Sequence, residues 1–180
     1  MLTLKTQIFP SREGFELVYS MDSLNIYSVP FSELKTCDRS EAYQKRFKEI
    51  NSQKLENFDG SSYHYEIWDG SICLGGFRLS PIGSGFSEVE EIFSTFHFRP
   101  HSFELGRLWM KYQNKGHGKK CMRVIADWLS QENVIIYFKQ SSLLGNVSKE
   151  IGAISEGVYS WNHRLQYLVE LLRFGGVCEG

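Results

Sequence analysis

The stretch Phe103-Glu104-Leu105-Gly106-Arg107-Leu108-Trp109-Met110, running on into Lys111-Tyr112-Gln113-Asn114-Lys115-Gly116-His117-Gly118, decides how the rest of the chain is read. Its first half is rich in bulky apolar residues and reads as a strand. Its second half is polar and carries two glycines, so it reads as a loop. From Lys119 to Ser130 the period changes. Met122, Ile125 and Leu129 fall on one face, with Cys121 and Trp128 beside them, which predicts an amphipathic helix. Val134-Ile135-Ile136-Tyr137-Phe138 then forms a short apolar run suited to a buried strand. Strand, glycine loop, helix and strand together define a mixed α/β unit.

Upstream, Tyr63-His64-Tyr65-Glu66-Ile67, the turn signal Asp69-Gly70 and Ile72-Cys73-Leu74 predict a β-hairpin with a type I′ turn. Gly75-Gly76 interrupts the second strand before Phe77-Arg78-Leu79, as at a bulge or a close backbone approach. Asp38 and Glu41 open a predicted helix over 38–56, with Tyr43, Phe47 and Ile50 on one face. Residues 2–9 alternate and suggest a strand. Residues 11–35 fit both periods: Phe15, Val18 and Met21 suit a helix, Ile26 to Val29 a strand. Downstream, a helix is expected near 141–151, and residues 165–172 suit either strand or helix.

Composition bounds the function. The chain has 180 residues, which suits one domain, 1–180, with a full core and no need of metals or disulfides. The formal net charge of −1 opposes a dedicated nucleic-acid or anionic-membrane binder. No apolar run reaches eighteen residues, so no membrane span is expected, and the first ten residues lack a signal-peptide core. Cys37, Cys73, Cys121 and Cys178 form no C-x-x-C pair and read as free thiols of a cytoplasmic protein. His97 and His101 are separated by Arg99-Pro100, which spoils a helical ligand pair, so no metal site is expected. Aromatic residues make up 14%, enough for a large core or an apolar ligand wall. Six phenylalanines (77, 86, 93, 96, 98 and 103) crowd one segment.

The glycine loop carries the chemistry. Gln113-x-x-Gly116-x-Gly118 lies between strand and helix, where glycines allow tight turning and close approach to a ligand. A helix N-terminus presents free N–H groups and a favourable dipole to an anion. Lys111, Lys115, Lys119 and Lys120 surround it, a local basic cluster suited to a phosphate. The plainer alternative is a glycine-bearing turn with solvated lysines.

Over these residues the sequence resembles the GCN5-related N-acetyltransferase (GNAT) superfamily. The match is Glu104 to Met110 followed by Gln113 to Gly118, and the order of elements is compatible from about 38 to 172. The resemblance implies a central, splayed, mostly antiparallel sheet flanked by helices. It implies a loop that binds the pyrophosphate of acetyl-CoA or a longer acyl-CoA through backbone amides. The residues concerned are Trp109, Met110, Gln113, Asn114, Lys115, Gly116, His117, Gly118 and Lys119. Many members carry a tyrosine general acid where this chain has Ser148. A narrower similarity links Gly75-Gly76-Phe77-Arg78-Leu79-Ser80-Pro81 and Phe103-Glu104-Leu105-Gly106-Arg107 to the acyl-homoserine-lactone synthases and the related N-acyl amino acid synthases, which take acyl chains from acyl carrier protein. Arg78, Glu104 and Arg107 match that pattern; Arg46-Phe47 and Asp59 are remnants of its N-terminal part, and its tryptophan is missing.

The resemblance frames three readings. One is an N-acyltransferase moving an acyl group from acyl-CoA to a primary amine. The second is an acyl-carrier-protein-dependent synthase of an N-acyl amino acid or lactone signal, an autoinducer. The third is a fold relative that binds acyl thioesters without turnover. An ammonium acceptor must lose a proton before attack, and Glu104 beside the donor site is the candidate base. Backbone N–H groups near Met110 are expected to hold the thioester carbonyl. Arg78, and Arg107 with it, are the candidates for binding an acceptor. Alternation puts Glu104 and Arg107 on opposite sides of their strand unless a bulge intervenes. A monomer or homodimer is expected, with a small-molecule amine acceptor, acyl carrier protein as the alternative donor's carrier, and no nucleic-acid partner.

Overall fold

The structure is a computed structural model that describes residues 4–5, 16–30, 60–83, 87–110, 116–163 and 166–175. The helix expected over 38–56, Phe86 and the loop residues Lys111 to Lys115 lie outside the described residues. The chain forms two compact units: Met1–Leu79 with Arg107–His117, and Ser80–Gly106 with Gly118–Gly180.

The first unit is an antiparallel meander of β1 (Leu4–Lys5), β2 (Glu16–Met21), β3 (Leu24–Val29), β4 (Tyr63–Asp69) and β5 (Ile72–Pro81, its last two residues in the second unit). The C-terminal half of β6 (Ser102–Met110) follows β5 in the order. The ambiguous stretch 11–35 thus contains a hairpin, and the helix-like spacing has a local cause. Leu17 pairs with Tyr27 and Tyr19 with Ile26, so Val18 is an extra residue that breaks the two-residue period. Asp22 turns this hairpin at φ 56°, a conformation aspartate tolerates better than most side chains.

The β4–β5 hairpin forms as the sequence predicts, with one correction. Asp69 pairs with Ile72, so the turn residues are Gly70-Ser71, not Asp69-Gly70. Only Gly70 has positive φ, the pattern of a type II′ turn rather than type I′. Ile67 faces Gly75 while Trp68 faces Cys73, leaving Leu74 as a bulge. A Cβ on Gly75 would lie 2.1 Å from the Trp109 carbonyl oxygen, and one on Gly76 2.5 Å from the Tyr65 carbonyl oxygen. The paired glycines therefore mark both a bulge and a close approach of the backbone. Tyr65 and Phe77, partners across the hairpin, stack with ring centroids 5.1 Å apart. With Val18, Ile26, Ile67, Leu74 and Leu79 they make this unit's core. Burial drives the Tyr65 hydroxyl, with Tyr63 adding to it, well above the ordinary tyrosine range, so it stays protonated.

In the second unit, the N-terminal half of β6 runs parallel to β7 (Asn133–Lys139). Next comes β9 (Tyr167–Gly175), antiparallel to β7, and then β8 (Ile154–Asn162), antiparallel to β9. The segment 165–172 resolves to strand. β8 was not evident in the sequence, because two extra residues near Gly157 shift its pairing between Ser155 and Tyr159. Three helices lie among its described residues: α1 (Glu88–Ile92), α2 (His117–Trp128, its first residue in the first unit) and α3 (Leu143–Glu150). α2 buries Cys121, Met122, Val124, Ile125 and Trp128, the stripe its periodicity predicts. Ser142 caps α3 by accepting from the Gly145 amide at 3.0 Å. Val89, Phe93, Ile135, Val169 and Leu171 form a core cluster, with Ile82, Phe96, Phe98 and Tyr137 packed against it. Phe93, Phe96 and Phe98 thus serve in packing; Phe96 and Phe98 meet edge to face at 4.9 Å. The architecture is the expected mixed α/β arrangement with a mostly antiparallel sheet. No helix among the described residues is long and apolar enough to cross a membrane, and no metal-binding group of His, Cys, Asp and Glu occurs among them.

Candidate functional site

The sequence-selected residues divide between the two units. In the first, Arg78 on β5 faces His64 on β4, and Glu66 lies two residues along, opposite Gly76. All three side chains are buried, Arg78 and Glu66 completely. Arg78 is therefore a core residue within a polar row rather than an exposed strand arginine. The Trp68 indole N–H donates to Glu66 at 3.1 Å, which fixes one end of that row.

Arg107 has φ 51°, rare for a residue with a side chain. Burial along β6 does not simply alternate: Glu104 and Leu105 are both buried, and so are Leu108 and Trp109. Trp109 is buried with its carbonyl against Gly75, and Met110 is partly buried with its methyl beside the same glycine. Gly116 has φ 74°, and nothing lies within 4 Å of the place its Cβ would take. Its left-handed backbone requires glycine, and the space above it is open, as a ligand cradle needs. His117 begins α2. Gln113, Asn114 and Lys115 lie outside the described residues.

In the second unit, Gly118 has a packing reason as well. A Cβ there would come 3.0 Å from the Leu144 side chain of α3. Lys119 ion-pairs with Glu150 at 3.2 Å, both half-exposed, so this lysine is held at the start of α2 by a weak, exchangeable partner. Ser148, at the position where the family pattern has tyrosine, is fully buried, and its hydroxyl donates to the Leu144 carbonyl at 2.7 Å. That hydroxyl is committed within its own helix.

Glu104 is fully buried and ends the β6–β7 ladder, which covers only Ser102–Asn133, Phe103–Val134 and Glu104–Ile135 although both strands continue. Its Oε2 accepts from the Val89 amide of α1. Next to Val89, Glu88 is buried and its Oε1 accepts from the Tyr137 hydroxyl at 2.7 Å. Glu90 accepts from the Gly83 amide at 2.9 Å and the Ser87 hydroxyl at 2.6 Å, fixing the entry to the helix. The sequence did not single out the Glu88–Tyr137 pair. Ser87-x-x-Glu90 is a capping-box pattern that marks the helix start, but no local signal joins residues 49 apart in sequence.

A second network centres on Glu170 of β9. It accepts from Lys149 at 2.8 Å, Ser155 at 2.7 Å and Tyr159 at 3.2 Å. Burial pushes its carboxyl up, but the three donors and the Lys149 charge outweigh burial and hold it below the usual carboxylate range. The network ties α3 and the irregular part of β8 to β9.

Comparison with known proteins gives the fold. No protein-family model matches the chain, and no curated protein sequence is significantly similar. Solved structures do match. A ribosomal-protein-S5-alanine acetyltransferase from Vibrio fischeri aligns at TM-score 0.57 and 12% identity, over 89% of this chain and 97% of that one. An N-acyl amino acid synthase from uncultured soil microbes, FeeM, aligns at TM-score 0.59 and 8% identity, over 84% and 90%. A Bacillus subtilis acetyltransferase in complex with CoA aligns at 0.53 and 16%, over 86% and 99%. The chain thus has the acetyltransferase fold that the GNAT resemblance implies.

Proposed function

We propose that this protein is an N-acyltransferase that moves an acyl group from an acyl-CoA thioester to a primary amine, by direct transfer. The observation that carries the reading is Gly116. It takes a left-handed conformation with open space above it, at the entry to a helix that begins His117-Gly118-Lys119-Lys120. In a fold shared with a CoA-bound acetyltransferase, that feature suits a pyrophosphate. Gly116, His117, Gly118 and Lys119, continuing Gln113-Asn114-Lys115, would hold the nucleotide end. The backbone at Trp109 and Met110 would receive the thioester. Acetyl-CoA or a longer acyl-CoA is the donor, and the protein works in the cytoplasm as a monomer or homodimer.

The acceptor ammonium must surrender a proton to a carboxylate system, because only the free amine attacks the carbonyl carbon. Glu104, at the end of the parallel ladder, belongs to that system. Arg78 and Arg107 are kept as the candidate acceptor-binding residues, with Arg78 standing inside a buried polar row beside His64 and Glu66.

One comparison favours a second reading. The likeness to an N-acyl amino acid synthase, together with Arg78, Glu104 and Arg107, suits acyl-carrier-protein-dependent synthesis of an N-acyl amino acid or lactone signal. Thermal-shift measurements with CoA, acetyl-CoA and decanoyl-CoA test the first reading, which no shift at millimolar ligand would overturn. A new acyl-amine in lipid extracts of expressing cells would support the second.

A further inference from the structure

We propose that Tyr137, backed by Glu88, is the group that takes the proton from the acceptor amine, and that Glu104 positions this pair. The assignment rests on the N-acyltransferase reading and refines its chemistry.

The geometry comes from the second unit alone. The β6–β7 ladder ends at Glu104 and Ile135. Tyr137 lies two residues further along β7, on the face that Ile135 shares, and both pack with Val89 and Phe93 of the α1 segment. Its ring is tilted against Phe93 at 6.5 Å, and its hydroxyl donates to Glu88 at 2.7 Å. Glu104 reaches the same place from β6 and accepts the amide of Val89, the residue after Glu88. Two carboxylates and a phenol therefore meet at the start of α1, just past the last paired register of the parallel strands.

The three groups differ in access. Glu104 is fully enclosed and Glu88 nearly so, at 0% and 7% exposure, while Tyr137 is only partly buried. A buried carboxylate exchanges protons with an arriving ammonium only through an intermediary. Tyr137 fits that role, because its O–H is already aimed at Glu88 and a phenolic hydroxyl both donates and accepts.

The proton balance is complete. As the ammonium gives a proton to the Tyr137 oxygen, the Tyr137 proton passes to Glu88 Oε1. The nitrogen lone pair attacks the thioester carbonyl, and the C–N bond forms. The C–S bond then breaks, the thiolate leaves and takes the second nitrogen proton, and Glu88 returns its proton to solvent. The products are the amide, the free thiol and one proton. Glu104 touches none of the reacting atoms; it holds the Val89 amide and with it the Glu88 backbone.

The test uses acetyl-CoA as donor with two small nucleophiles. Ethylamine is protonated at neutral pH and needs a base; hydroxylamine is already neutral and does not. Tyr137→Phe and Glu88→Gln should each lower kcat with ethylamine by about a hundred-fold, the usual weight of general base catalysis. Hydroxylamine transfer should fall far less, and CoA affinity by calorimetry should stay within about two-fold, which also shows the variants folded. Equal losses with both nucleophiles would make the pair merely structural and overturn the assignment. So would variants that keep the ethylamine rate, or a wild type that binds CoA yet transfers to neither nucleophile. A wild type that binds no CoA would refute the parent reading and the relay with it.

Discussion

Gly75→Ala introduces one methyl group where the structure leaves no room. The added carbon would sit 2.1 Å from the Trp109 carbonyl oxygen and 3.1 Å from its carbonyl carbon. A relaxed carbon–oxygen contact is well over 3 Å, so strand β6 must shift by roughly 1 Å or β5 must open. The obstacle is main chain, so no rotamer change relieves it. Overpacking of this kind costs about 1–3 kcal/mol, and a backbone obstacle puts Gly75 at about 3 kcal/mol. For a chain of this length, 1 kcal/mol moves Tm by about 2–4 °C, which gives a fall of about 6–12 °C. Differential scanning calorimetry measures it. Gly83→Ala is the control: Gly83 has φ 95° but nothing within 4 Å, so it carries backbone strain without the clash. The displaced residues, Trp109 and Met110, are those proposed to receive the thioester, so CoA affinity should weaken with stability. A Gly75→Ala protein whose Tm lies within about 2 °C of wild type, less than 1 kcal/mol would produce, would refute the close-approach reasoning.

Glu150→Gln frees Lys119 from an exposed ion pair worth about 0.2–1 kcal/mol, so CoA affinity at low salt should rise about 1.5- to 5-fold; an unchanged or weaker affinity contradicts the placement of Lys119. Gly116→Val forces a β-branched residue into a left-handed conformation and fills the open space, so calorimetry should show CoA binding lost while far-ultraviolet circular dichroism is retained. The Glu170 carboxyl sits below its ordinary value of 4.5, so its contribution to stability is complete above that pH and fades as pH falls through the lowered value. The Tm gap between wild type and Glu170→Gln should therefore be widest near neutrality and close in acid; a gap that widens in acid is the wrong sign.

The sequence made some parts of this molecule legible for physical reasons. The β4–β5 hairpin, the stripe of α2 and the apolar run of β7 each have a local period that burial enforces, and each appears where its pattern lies. Val18 shows the limit. One bulged residue turned a strand's period into an apparent helical spacing, and only its pairing with β3 resolves it. β8 hid for a like reason, since its register shift near Gly157 leaves no continuous alternation. At the site, Gly116 was recognisable because left-handed backbone selects glycine. Gly118 was noticed for the same motif, but a contact with Leu144 explains it equally. Glu104 stood out in sequence, whereas the pairing of Glu88 with Tyr137 did not, because their hydrogen bond spans two elements that only the folded sheet brings together.

Titration calorimetry with acetyl-CoA, repeated with Gly116→Val, tests most directly whether the glycine loop and the start of α2 hold an acyl-CoA. Saturable one-to-one binding is expected, weakening as salt is raised and disappearing in the variant. Binding of equal strength in both proteins, or no heat from wild type at millimolar acetyl-CoA, would contradict that assignment.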